Sequence, residues 1–352
     1  MRARFALVLL VLLLAAACGK DSTAPRVTPT PAAFGVAVNR RGAEPLLAEA
    51  YAEIKQGGFR LAAAAAAWGD LESRAGQEHW EILDRHFREA REDSVALSIT
   101  ILLIDNQAVG AMPDDRGPVW IEDAFFRQRI CRLAQRVATR FPDVVRYLWI
   151  GREVDAYFAN NVGEIGDFIT LVDACQDSVA RVAPQVRVGT TVSYVEAEAQ
   201  GRLAMVDQLA EAGSILGLSV YGRDLSNAQS LDPEGTVART RAAVARFQTH
   251  RVMVTEVGFP YDQSAPAVQQ RFVELLTSYL GDPPDNLVGA VWESLHDWSP
   301  AEADARALLL FAGEEERRSN YARQLRSAGL RSVDGVLRPA FISAADWNHA
   351  VR

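Results

Sequence analysis

The chain has 352 residues, 49% hydrophobic and 23% charged, the balance of a globular protein with enough apolar material for a large core. A formal net charge of -8 speaks against nucleic acid or an anionic membrane surface as the main partner, because neither attracts an acidic body. A neutral ligand is the better match.

Arg2 and Arg4 precede an apolar run, Phe5–Ala17, too short to span a bilayer but of the length of a signal-peptide core. The run ends Leu14-Ala15-Ala16-Ala17-Cys18-Gly19, and small residues directly before a cysteine resemble a bacterial lipobox, which implies lipidation of Cys18 and membrane attachment through it. The alternative is an ordinary signal peptide that happens to contain a cysteine. After Cys18 the stretch GKDSTAPRVTPTP is rich in Pro, Thr and Ser and has no periodicity, so 18–31 reads as a flexible tether. The folded domain is expected over 32–352, after a signal peptide at 1–17.

Within that domain apolar strand-like runs alternate with amphipathic helical stretches. The runs are Ala33–Asn39, Phe59–Ala66, Val95–Ile104, Val145–Gly151, Val186–Val192, Leu216–Tyr221, Val252–Glu256 and Leu287–Trp292. Helical patterns fall at Glu44–Lys55, Trp80–Arg91, Asp123–Arg140, Gly163–Val182, Arg202–Ala212, Gly235–Phe247 and Ala265–Leu280, and the tail from Ser327 reads as a turn and a closing helical segment. Alternating β and α elements imply a parallel sheet covered by helices, and eight strands over this length predict a single-domain α/β fold, the (β/α)8 TIM barrel. A doubly wound open sheet is the other possibility, but no GxGxxG turn follows the first strand. The least certain strand is LAAAAAAW, since alanine is the best helix former.

Cys131 and Cys175 both lie in helical patterns, outside any CxxC or Cys/His cluster, so no metal site of usual spacing is offered and no cofactor motif is present. Two buried free thiols are the default expectation. An oxidising compartment would permit a bridge if the two helices are neighbours.

Glu153, in IGREVD, and Glu256, in TEVGFPY, each close an apolar strand, the fourth and the seventh. In a barrel the strand C-terminal ends gather on one face, where active sites lie, so these two acids would meet across the mouth. A pair of carboxylates about 5 to 5.5 Å apart is the equipment of retaining glycoside hydrolysis, one protonating the leaving oxygen and the other attacking the anomeric carbon. The plainer reading makes them structural ion-pair partners of Arg152 or another base. Trp68, Asp105, Asp155, Tyr157, His296 and Asp297 follow strand ends and are candidates to line the cleft. His296-Asp297 has no GxSxG elbow to accompany it, which argues against a serine hydrolase.

The layout, together with YLWIGREVDAYF, VMVTEVGFP, LSVYG, AAWGDLE and VWESLHDW, resembles the clan A glycoside hydrolases, with particular likeness to endo-β-1,4-galactanase-like and β-1,3-glucanase-like members. The resemblance implies Glu153 as general acid/base, Glu256 as nucleophile, Tyr221 as a hydrogen-bond partner of the nucleophile and Trp292 as the floor of the sugar site. Two positions depart from the clan pattern. Arg152 stands where an Asn usually precedes the acid/base, and strand two offers only alanines between Leu61 and Trp68 where many members carry an Arg. An Arg152 reaching Glu153 would favour its ionised form; an Arg152 filling the vacant strand-two position would serve Glu256 instead. The implied function is an exported, lipid-anchored retaining glycosidase or transglycosidase acting on a neutral saccharide without metal or cofactor. A barrel that kept the fold and only binds carbohydrate is the rival reading.

Overall fold

The structure, a computed structural model, describes residues 31–38, 46–116, 121–222 and 232–351. The signal segment, Cys18, the tether, Asn39 and the start of the first helical pattern lie outside the described residues. Eight parallel strands run in chain order: β1 (Ala33–Ala37), β2 (Leu61–Ala67), β3 (Ala96–Asp105), β4 (Val145–Arg152), β5 (Arg187–Ser193), β6 (Ile215–Tyr221), β7 (Val252–Gly258) and β8 (Leu287–Trp292). Each pairs with the next, and β1 pairs with β8, Ala33 opposite Gly289 and Val36 opposite Trp292, so the sheet closes into a (β/α)8 barrel.

The strands read as near-continuous apolar runs because both faces are buried. Outward side chains join the main core beneath the helices, while Leu61, Trp149, Ile215, Met253 and Val291 form a second cluster that plugs the barrel floor. The alanine run is a strand, in register with β3 from Leu61 opposite Ala96 to Ala67 opposite Leu102. Its β-rich neighbour, with Ile99, Thr100 and Ile101, supplies a ladder that overrides the helical preference of alanine.

Helices α1 (Leu46–Gln56), α2 (Glu81–Glu92), α3 (Ala124–Arg140), α4 (Ile165–Ala180), α5 (Leu203–Leu209), α6 (Pro233–Arg246) and α7 (Pro266–Gly281) alternate with the strands. Asp123 caps α3 by accepting from the Phe125 and Phe126 amides. After β8 come two helices that the periodicity reading did not anticipate, α8 (Pro300–Leu310) and α9 (Glu315–Leu325). They pack together through Ala303, Ala307, Leu310, Phe311, Tyr321, Ala322 and Leu325 as a cluster separate from the barrel core. A local signal for α8 was present: Ser299-Pro300-Ala301-Glu302 forms a capping box with Pro at the first helical position. The closing helix α10 (Pro339–Ala350) completes the outer ring, with Phe341 against Phe59, Trp347 against Phe34, and the Asn348 amide donating to the Gly57 carbonyl at 3.1 Å.

Cys131 on α3 and Cys175 on α4 are joined in a disulfide, with Cα atoms 4.3 Å apart, which corrects the default expectation of free thiols. The two helices are direct neighbours, a fact that sequence spacing does not convey. Closing a loop of this length restricts the unfolded chain by roughly 2–4 kcal/mol. A Cys131→Ser/Cys175→Ser protein should therefore lose about that much stability in urea titration; an unchanged midpoint would show that the bridge does not form.

Candidate active site

The mouth is shaped by two irregularities. At the end of β4, Gly151 has φ +81° and Glu153 φ +49°, both in the left-handed region. A Cβ on Gly151 would come within 2.5 Å of the Val154 side chain, so glycine is required there. The glutamate conformation carries a strain of about 1–3 kcal/mol, held by bonds to β5: the Glu153 amide donates to Thr191 Oγ1 at 2.9 Å and the Val154 amide to the Thr191 carbonyl at 3.0 Å. On β7 the pairing with β6 slips between Val254 and Glu256, which lets Thr255 and Glu256 both face the cleft. Consecutive side chains thus reach the mouth where a regular strand would present every second one.

Glu153 and Glu256 converge on Tyr221, at the end of β6. Its hydroxyl lies 3.3 Å from Glu153 Oε1 and also contacts Glu256 Oε2. The nearest oxygens of the two acids are therefore separated by at most about two hydrogen-bond lengths, roughly 6 Å. A phenol owns one proton and can donate it to one acceptor only. For Tyr221 to bond both acids, one carboxyl must itself carry a proton and donate it back. Glu153 further accepts from the Asn106 amide at 2.9 Å. Glu256 lies 3.7 Å from Arg152 Nη1. Burial raises Glu256 to about 7; Arg152 and the Tyr221 hydrogen bond pull it down, while Glu153 pushes it up.

A third acid joins them. Glu293, one residue beyond β8, is raised to about 8, chiefly by burial and then by Glu256, with the Gln324 amide donating to it at 2.9 Å. Asp105, Arg152, Glu256 and Glu293 border a cavity of about 600 Å³, a size suited to a small ligand; Glu153 and Tyr221 are buried and are not among the residues that line it. One wall is the inner face of β2, where Ala63, Ala65 and Ala67 stand in place of the bulky side chains that usually fill a barrel. Trp298, Tyr321 and Leu325, from the segment after β8, also line it. Among the described residues there is no cluster of His, Cys, Asp and Glu suited to hold a metal ion.

No family model matches the chain, and no curated protein matches it. Solved structures do. The chain is similar to an exo-β-1,4-mannosidase from an Opitutaceae bacterium, at 13% identity and TM-score 0.66 over 91% of this chain and 59% of that one. It is similar to a GH5_18 protein from Bifidobacterium longum in complex with Manβ1-4GlcNAc, at 14% identity and TM-score 0.68 over 91% and 78%. A family 39 glycoside hydrolase from Bacteroides cellulosilyticus matches at 13% identity and TM-score 0.63 over 91% and 64%. The chain thus spans about three fifths of the mannosidase's length. At these identities the likeness is one of fold, the (β/α)8 barrel.

The structure brings Glu153, Glu256, Tyr221, Arg152 and Asp105 together and leaves several other candidates elsewhere. Arg152 turns away from Glu153, donating to Asp105 Oδ1 at 2.9 Å and facing Glu256. Trp292 points outward from β8, fully buried against Phe272 with its indole N–H on the Ala328 carbonyl at 2.7 Å, so it offers no floor to the cleft. Trp68 is buried too, donating to Glu72 and packed on Phe126. Asp155 lies behind β5, accepting from the Ser193 amide at 2.7 Å and pairing with Arg202. Tyr157 donates to Glu164, His296 pairs with Glu53, and Asp297 with Arg338, all away from the cavity. A residue that follows a strand faces the mouth only where the in-out alternation of that strand carries it there. Continuing the alternation past Val291 (in) and Trp292 (out) would have marked Glu293.

Because the folded state holds protons on Glu256 and Glu293 above the usual carboxylate range, their contribution is present below about pH 4.5 and lost as pH rises through about 7 to 8. Asp155, raised to about 7 by burial, acts in the same direction. The melting temperature should fall between pH 5 and pH 8.5, and Glu293→Gln should make that fall smaller by roughly 2–4 °C. Identical slopes in the two proteins would contradict the buried-acid assignment.

Proposed function

We propose that this chain is a retaining glycoside hydrolase, with Glu153 as general acid/base and Glu256 as nucleophile. The observation that carries the reading is the Tyr221 hydroxyl bonded to an oxygen of each acid, which sets them at a distance compatible with double displacement. Tyr221 contacts Glu256, whose charge Arg152 favours, as an attacking carboxylate requires, while the Asn106 amide donates to the other oxygen of Glu153.

In the first step Glu153 gives its proton to the leaving oxygen as Glu256 attacks the anomeric carbon, the glycosidic C–O bond breaks and a glycosyl ester forms. Glu153, now anionic, then takes a proton from water, which attacks the same carbon and frees Glu256. Transfer to a sugar hydroxyl in place of water is the transglycosidase variant. The acidic chain, the motif likeness to galactanases and glucanases, and neighbours that include a mannosidase and a Manβ1-4GlcNAc complex support a neutral, β-linked saccharide as substrate. Arg2, Arg4, the run Phe5–Ala17 and the small residues before Cys18 support export and lipid anchoring in the cell envelope.

Glu153→Gln and Glu256→Gln should each lower turnover of aryl β-glycosides, by about 10²–10⁴-fold for the acid variant, with folding intact. Azide should restore the product yield of a small-side-chain Glu256→Gly protein. A second reading, a barrel that binds saccharide without cleaving it, draws on Glu256 being raised to about 7, which leaves part of the population without a nucleophilic charge at neutral pH. Binding of glycans across a panel with no product from any of them would decide for that reading.

A further inference from the structure

Asp105, at the end of β3, is 4% exposed and both its oxygens are occupied by guanidinium groups. Oδ1 accepts from Arg152 Nε at 2.9 Å and from Arg306 Nη2 at 2.6 Å, while Oδ2 contacts Arg306 Nη1. Arg306 sits on α8 with its side chain 8% exposed, and it grips the carboxylate with both arms of its fork. Arg152 in turn places Nη1 3.7 Å from Glu256 Oε1. The result is an alternating chain, Arg306, Asp105, Arg152, Glu256, buried in its first two members and half-buried in the last two, linking an outer helix to the acid on β7.

Arg152 needs this hold because it is one residue from Glu153 and follows a left-handed glycine, so a free guanidinium there could turn to either acid. We propose that Arg306 is a positioning residue: by fixing Asp105 it aims Arg152 at Glu256, so that the helical hairpin after β8 favours the charged form of Glu256. This rests on the reading of Glu256 as nucleophile given above. The groups facing Glu256 are Asp105 from β3, Arg152 and Glu153 from β4, Tyr221 from β6, Glu293 from beyond β8 and, through Arg152 and Glu293, Tyr321 from α9. Of these Arg152 alone is cationic. Removing Arg306 leaves Asp105 and Glu256 to compete for that single guanidinium, and both the added net negative charge and the drift of Arg152 toward Asp105 favour a proton on Glu256.

The test is a carbon-13 titration of the glutamate carboxyls in the full chain, with the Glu256 signal assigned by its loss in Glu256→Gln. Arg306→Gln should raise the proton affinity of Glu256 about tenfold, and Arg306→Lys, which keeps the charge but lacks the two-armed grip, about threefold. A Glu256 titration that stays at its parent position in the glutamine variant, or in the lysine variant should the glutamine one not fold, overturns the proposal. The readout does not depend on turnover. A shifted titration with no glycoside cleaved keeps the positioning role and removes the hydrolase reading; cleavage with an unmoved titration does the reverse.

Discussion

One phenolic hydroxyl between two acids is the constraint around which the mouth of this barrel is arranged. Glu153 and Glu256 approach closely enough to share Tyr221, and at such close range two such groups cannot both be anionic without a penalty. A proton must stay with the pair. The backbone accommodates this at some cost: a left-handed glutamate on β4, tied down by Thr191, and a slipped register on β7 bring the carboxylates to the same point. Closure of the sheet makes the meeting possible, because β4, β6 and β7 are brought round one mouth only when the barrel is complete.

The surrounding charges are unequal. Asp105, Glu153, Glu256 and Glu293 gather near the cleft against Arg152 and Arg306, and the cations are concentrated on one side. Glu256 receives the guanidinium, Glu153 receives neutral donors, and Glu293 receives the amide of Gln324. That asymmetry lets chemically identical side chains take different protonation states within one cavity. Two of the groups that create it, Arg306 and Gln324, come from the α8–α9 hairpin, so this segment belongs to the site as much as the strands do.

Much of the framework was legible because each buried parallel strand announces itself as an apolar run between amphipathic helices. All eight strands are legible within a few residues, including the alanine run; Glu153 directly follows β4, whereas Glu256 lies two residues before the end of β7. The departures have a common origin in side-chain direction and long-range partnership. Trp292 and Glu293 are adjacent in sequence but face opposite sides of the sheet. Arg306 stands far along the chain from Asp105, so no local pattern marks it. The hairpin that carries it packs as its own small cluster and escaped a reading tuned to the β/α alternation, although its capping box was visible. The Cys131–Cys175 bridge likewise depended on which helices are neighbours.

The alanines of β2 shape the cavity by what they lack. Ala63, Ala65 and Ala67 present methyl groups with no rotamers, so whatever rests on that wall meets a surface close to the rigidity of the backbone itself. Long side chains would have to give up torsional freedom to make the same contact, at about 0.5–1.5 kcal/mol apiece. Here nothing has to be ordered. The fit on that side is fixed when the sheet closes, before any guest arrives, while adjustment is left to the longer side chains elsewhere in the lining, such as Trp298 and Leu325.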